Sequence, residues 1–157
     1  MIVLLQNIRS TYNVGSIFRT SDGVGIKKIY LCGITPDPID KFGRPQKEIQ
    51  KVSLGACDFV PWEHTKSISH FINKLKKENY KIIAIEQSPD STPYNKIKIS
   101  PKSKIALILG TETTGLPKNI LRKSDIIAEI PMYGEKESLN VSVAFGIVVY
   151  SLIGQKE

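Results

Sequence analysis

Three clusters of polar residues carry the chemistry this sequence could perform. The stretch 109-LGTETTGLP-117 leaves an apolar strand and enters a glycine-rich loop. The stretch 130-IPMYGEKESLNVSVAFGIVVY-150 leaves a second strand, passes Pro131 and another loop, and enters a long helix. Glu112, Ser138 and Asn140 fall where the strands end and that helix begins. The third cluster, 7-NIRSTYNVGSIFRTSDG-23, sets Asn13 and Arg19 on the opening helix. In a parallel α/β sheet, ligands bind at the carboxyl ends of the strands. Glycine lets backbone come close to a ligand, and the unpaired N–H groups of a helix start attract anionic or electron-rich groups. The pattern therefore expects a small molecule held between the two C-terminal loops.

Each residue also has a plain structural reading. Asn13 is a suitable helix cap, and Arg19 suits a solvated helix surface. Ser138 suits the cap of the final helix, with Asn140 exposed in its first turn. Glu112 suits a turn. Several chemistries are excluded outright. No GxGxxG follows the first strand, and 110-GTETTG-115 lacks the Lys–Ser/Thr pair of a P-loop. No GxSxG elbow occurs. His64 and His70 are expected on different faces of one helix, and no Cys/His cluster exists, so no metal site is expected.

The elements that must position these clusters follow from apolar spacing. Ile2–Leu5, Lys28–Cys32, Tyr80–Glu86, Ile105–Leu109 and Ile126–Ile130 read as strands. A helix is expected from Asn13 to the glycines at 23 and 25. Another is expected over His64–Asn79, where Ile68, Phe71, Ile72 and Leu75 repeat at helical spacing. A short helix is expected over Pro117–Lys123. The last helix, about Ser138–Leu152, carries Val141, Ala144, Phe145, Val148, Val149 and Leu152 on one stripe. Residues 33–50 and 87–104 read as long loops, with a helical turn at 51-KVSLGA-56. Alternating strands and helices imply an α/β fold, a mostly parallel sheet with helices on both faces.

The bulk numbers bound the rest. The 157 residues suit one domain with a full core. A 41% hydrophobic and 24% charged composition is ordinary for a globular protein. The net charge of +7 favours a polyanionic partner, weakly by itself. Cys32 and Cys57 form no disulfide framework and fit a reducing, cytoplasmic setting. The N-terminus lacks the build of a signal peptide, and no apolar run is long enough to span a bilayer, so no membrane association is expected.

Taken together, the clusters closely resemble the SpoU (TrmH-like) class of SPOUT trefoil-knot RNA methyltransferases. The first matching motif holds Asn13, Gly15 and Arg19. The second holds Gly110, Glu112 and Gly115. The third holds Pro131, Ser138, Leu139, Asn140, Ser142 and Ala144. The segment 51-KVSLGA-56 is also similar, and the resemblance covers nearly the whole chain.

This resemblance implies S-adenosylmethionine as cofactor and ribose 2′-O-methylation of tRNA or rRNA. It implies a C-terminal trefoil knot, which general topology rules make very rare. It also implies a homodimer with the site near the subunit interface. Residues 1–157 would form a single catalytic domain without a separate RNA-binding domain. The catalytic set implied is Asn13, Arg19, Glu112, Ser138 and Asn140. For the cofactor it implies Leu109, Gly110, Glu112, Gly115, Ile130 and Pro131, continued by Met132, Ser138, Leu139, Asn140 and Ala144.

Glycine at 110 is expected to bring backbone close to the ligand. Glu112 is expected either to bond within its loop or to meet the acceptor ribose. The planar fork of Arg19 suits a phosphate next to that ribose, and that phosphate, or a water, could take the hydroxyl proton, since guanidinium stays protonated. RNA would be gripped by basic residues, with Arg9, Arg19, Lys27, Lys28, Arg44 and Lys51 as candidates beside Lys41 and Lys47. Two rivals stand beside this reading: an RNA base methyltransferase on the same fold, and a non-catalytic RNA-binding or assembly factor.

Overall fold

The computed structural model describes residues 1–155. Seven strands form one sheet: β1 (Ile2–Gln6), β2 (Ile29–Cys32), β3 (Trp62–Thr65), β4 (Tyr80–Ile85), β5 (Thr92–Pro93), β6 (Lys104–Leu109) and β7 (Ile126–Glu129). Their order is β3-β2-β1-β6-β4-β7-β5, and every pairing is parallel. The helices are α1 (Thr11–Gly23), α2 (Lys47–Ser53), α3 (Ala56–Phe59), α4 (Ile68–Lys77), α5 (Lys118–Leu121) and α6 (Val141–Ile153).

The central strands read as near-continuous apolar runs because both their faces are covered. Alternate residues point to opposite faces, which builds two cores. Val3, Leu5, Ile105, Leu107 and Leu109 pack against Val14, Phe18, Ile49, Phe145 and Val149 of α1, α2 and α6. Ile2, Leu4, Ala106 and Ile108 pack against Ile68, Ile72, Leu75 and Ile120 of α4 and α5. The expected α/β architecture is the observed one.

The chain leaves β1 toward β2 on one side, and leaves β6 toward β7 on the other. The helices that follow them, α1 and α5, cover opposite faces. The boundary between β1 and β6 is therefore a topological switch point.

Several local expectations are corrected. Asn13 does not cap α1. Ser10 does, accepting a hydrogen bond from Asn13 N at 3.3 Å. The helix expected over His64–Asn79 is an edge strand followed by a helix. Trp62–Thr65 pairs with β2, and Ser67 caps α4. His64 thus stands on β3, where its ring nitrogens face Asp37 Oδ1 at 2.7 Å and the Gly33 carbonyl at 3.0 Å. The final helix starts after Asn140, which is its cap in place of Ser138.

Residues 33–50 are not all loop, because α2 begins at Lys47 and packs on α1. Gly15 makes that packing possible: a Cβ there would stand 2.9 Å from Val52 Cβ and 3.0 Å from the Ile49 carbonyl oxygen. The glycine of the first motif is thus a helix-contact residue. Among the described residues, no helix is long and apolar enough to cross a membrane.

Candidate active site

The crevice opens at the C-terminal ends of β4, β6 and β7 and has a volume of about 550 Å³. That is within the roughly 300–1,000 Å³ of small-molecule sites. Its apolar wall includes Leu109, Ile130, Met132, Leu139 and Ala144. Gly110, Glu112, Gly115, Ser138 and Asn140 also line it. Pro131 is not among the lining residues, nor are Asn13 and Arg19.

The floor is a tight turn. Thr111 and Gly115 form a two-residue antiparallel bridge, with the Gly115 N–H donating to the Thr111 carbonyl at 3.1 Å. A Cβ on Gly110 would stand 2.3 Å from Gly115 C and 2.5 Å from Leu116 N. Gly110 is therefore required for the 110–116 turn to close, and it also lines the crevice. Gly115 has φ +64, and a Cβ there would meet Glu86 Oε2 at 2.1 Å. That oxygen instead accepts the Leu116 N–H at 2.7 Å and fastens the turn to the end of β4.

Three distant segments meet beside this floor. Asn140 caps α6 by accepting the Ser142 N–H at 2.9 Å, and its amide donates to Asn13 Oδ1 at 3.0 Å. The Asn13 amide donates in turn to Glu112 Oε1 at 3.0 Å. Glu112 also accepts the Ser10 N–H at 3.0 Å and the Arg9 N–H at 3.1 Å. Its carboxylate thus fills the open N–H groups where α1 begins. Burial raises the Glu112 pKa, but the donors from Asn13, Ser10 and Arg9 outweigh it and hold the carboxyl below its ordinary value. One of the two roles expected of Glu112, bonding within its own loop, agrees with a further contribution from its own backbone N–H. Glu112 braces α1 against the crevice.

The remaining residues lie apart from this chain of bonds. Ser138 is exposed on the rim. Arg19 lies two turns beyond Asn13 on α1, exposed and with no hydrogen-bond or ion-pair partner among the described residues. Lys28 is held by Glu63 at 2.7 Å and Arg44 by Asp40 at 2.7 Å. Arg9 and Lys51 are exposed, whereas Lys27 is exposed at the turn after α1.

Sequence reasoning missed Glu86 and Gln87. Both line the crevice, and Gln87 Nε2 donates to the Glu137 carbonyl at 2.7 Å, tying β4's end to the loop before α6. A signal existed: β4 is a parallel strand next to β6, so its C-terminal end had to border the same crevice. No group of three or more His, Cys, Asp or Glu residues that could hold a metal occurs among the described residues.

Comparison with known proteins gives a consistent family. The sequence profile of the SpoU rRNA Methylase family matches residues 1–150. The tRNA (guanosine(18)-2'-O)-methyltransferase of Borreliella burgdorferi is 33% identical over 148 residues, covering 94% of this chain and 61% of that protein. The 23S rRNA (guanosine-2'-O-)-methyltransferase RlmB of Xylella fastidiosa is 28% identical over 156 residues, covering 99% of this chain and 59% of that protein. Among solved structures, the AdoMet-bound rRNA methyltransferase from Sinorhizobium meliloti superposes with a TM-score of 0.83 at 30% identity, over 96% of this chain and 54% of that one. The TrmH/SpoU tRNA modifying enzyme of A. aeolicus gives 0.84 at 27% identity, over 99% and 74%. The chain spans about three-fifths of the length of these curated relatives.

Proposed function

The chain belongs to the SpoU rRNA methylase family, and from that premise we propose that it is an S-adenosylmethionine-dependent methyltransferase acting on the ribose 2′-hydroxyl of tRNA or rRNA. The observation that carries this reading is the convergence of the three motifs on one crevice, joined by the Asn140–Asn13–Glu112 hydrogen bonds. The named relatives are 2'-O-methyltransferases of both RNA classes, and the S. meliloti structure holds AdoMet.

The lining fits such a cofactor. Leu109, Ile130, Leu139 and Ala144 offer an apolar slot for a purine, and the turn at 110–115 exposes backbone groups to its edge. Glu86, Glu112 and Glu129 give the crevice a negative wall suited to a cationic ligand. Bound there, S-adenosylmethionine would supply an electrophilic methyl group.

The chain's own residues then have separable tasks. Glu86 and Gln87 hold the two flanking loops at a set spacing. Asn13, Asn140 and Glu112 fix the start of α1 beside the crevice, so that the acceptor ribose is presented in one orientation. Ser138, free on the rim, is placed to contact that ribose. Arg19 binds the adjacent phosphate, and that phosphate with a water receives the hydroxyl proton.

The same reading includes a homodimer. Tyr12 on α1 with Val143 and Tyr150 on α6 are 54%, 50% and 59% exposed, an apolar surface suited to a second copy. Arg19 lies on α1 too, so the dimer would put its guanidinium at the subunit boundary. It also includes the trefoil knot, a reading with which the contacts of α6 to both α1 and the 94–96 turn agree, as do the bonds of Gln155 to the backbone of Ile97 and Ile99. A cytoplasmic location follows from an RNA substrate.

The test is transfer of a labelled methyl group to total tRNA and rRNA, followed by nucleoside digestion. Label in 2′-O-methylnucleosides, with the linkage resistant to alkali, is the expected result. Label confined to the bases, or no transfer with the donor bound, would overturn it in favour of its two rivals.

A further inference from the structure

The 33–46 segment is a rigid platform with an aromatic side chain at its tip. Its base is tied to the sheet: Thr35 Oγ1 donates to the Leu5 carbonyl at 2.8 Å, the Ile34 N–H donates to Asn7 Oδ1 at 3.1 Å, and Asp37 is bonded to His64. Its tip is a closed turn. Asp40 Oδ1 accepts the Phe42 and Arg44 N–H groups at 2.8 and 2.9 Å, and Ile39 bridges Pro45. The Arg44 guanidinium donates from Nε to Asp40 Oδ2 at 2.7 Å.

At this tip Phe42 is 69% exposed. Lys41 Nζ and Arg44 Cζ each lie 5.0 Å from its ring centroid. The ring contacts these two cations and belongs to neither hydrophobic core. The two flanking cations decide what would cover it. Lysine is depleted from protein interface cores, whereas a ring between cations matches a base flanked by phosphates. The location agrees, because the loop rises from the C-terminal end of β2, and in this all-parallel sheet the crevice opens at the same carboxyl end of the strands. The helix it leads into, α2, accepts at the Glu48 carboxylate a hydrogen bond from the Thr11 hydroxyl in the first turn of α1.

We propose that this tip is a platform for an unpaired nucleotide of the RNA, with Phe42 stacking on its base while Lys41 and Arg44 neutralise neighbouring phosphates. The assignment rests on the RNA-directed reading above and adds the place where the strand is gripped away from the reacting ribose. The turn is already closed, so little ordering is needed when RNA arrives.

The test uses the full chain and a mixed-sequence 12-nucleotide RNA carrying one 2-aminopurine, beside a blunt RNA duplex. Phe42→Ala and Phe42→Leu are expected to weaken single-strand binding about tenfold and to remove the 2-aminopurine quenching, while Phe42→Trp preserves both. Duplex binding stays unchanged in all three. Lys41→Ala with Arg44→Ala lowers the salt slope by roughly one to one and a half. Donor affinity, read by calorimetry, stays at the wild-type level and verifies the fold.

Wild-type binding by Phe42→Leu would overturn the stacking role, since leucine keeps the bulk without the π face. So would an equal loss on duplex and single strand, or a change of oligomeric state with RNA affinity intact. Quenching that is the same with and without the Phe42 ring, alongside normal methyl transfer by the wild-type protein, would refute the platform alone. Normal quenching without methyl transfer to any RNA would refute the methyltransferase reading alone.

Discussion

Glu112→Gln tests the brace between α1 and the crevice. The carboxylate receives three hydrogen bonds, from Arg9 N, Ser10 N and Asn13 Nδ2, and it sits at the positive end of α1. A glutamine keeps the shape but turns one of the two oxygens into an NH₂ group facing backbone donors. A hydrogen bond to a charged acceptor contributes about 1.5–3 kcal/mol, and a negative charge at a helix start about 0.3–1 kcal/mol. Glu112 is an exposed residue, so solvent screening keeps the total near the low end. The substitution should cost about 1.5 kcal/mol at neutral pH, lowering the unfolding midpoint by about 3–6 °C. The pH dependence gives the stricter test. The folded-state pKa lies below its ordinary value of 4.5, so the stabilisation is complete above that value and is lost as pH falls through the folded pKa. Glutamine does not titrate. Urea midpoints of the two proteins should therefore differ fully at pH 7 and converge in acid, below the ordinary carboxylate range. A gap that persists unchanged into strong acid, or widens there, would refute the charged brace.

Three further outcomes are expected. Arg19→Lys loses the bidentate fork, worth about one charge-assisted hydrogen bond, so kcat should fall on the order of tenfold. Donor affinity should not change, because Arg19 is outside the crevice lining, and kinetics with calorimetry would check both. Gly110→Ala forces a Cβ to within 2.3 Å of Gly115 C, so the turn must open. Loss of donor binding in calorimetry is expected, with the far-ultraviolet circular dichroism largely kept. Burial pushes the Cys32 thiol up to about 12. It should stay unmodified by iodoacetamide at pH 8.5 in the folded protein and react fully in urea, as read by peptide mass spectrometry.

Much of the architecture was legible in the chain because it depends on short-range patterning. Runs such as Ile2–Gln6 and Lys104–Leu109 are apolar at nearly every position, which marks strands buried on both faces. Alternation with helical spacing then leaves few options besides a parallel sheet. The errors arose where local signals competed. His64 begins a segment of helical composition, yet pairing with β2 draws it into an edge strand and leaves Ser67 to start the helix. Asn13 and Ser138 are both good caps by residue type, but Ser10 and Asn140 hold those positions. Propensity ranks residue types and does not choose between neighbours two or three residues apart.

The amino-acid order alone determined the five central strands, most of the covering helices and which loops would cluster at the carboxyl ends of the strands, because periodicity acts over a few residues; the edge strands β3 and β5 emerged only from pairing with their neighbours. It could not determine what Glu112 touches. The partners of that carboxylate are 99 to 103 positions away, and only the strand order that sets β6 against β1 brings them within hydrogen-bonding distance. Asn13 makes the same point: its amide bonds Glu112 and Asn140, 99 and 127 positions away, through contacts that only the folded chain creates.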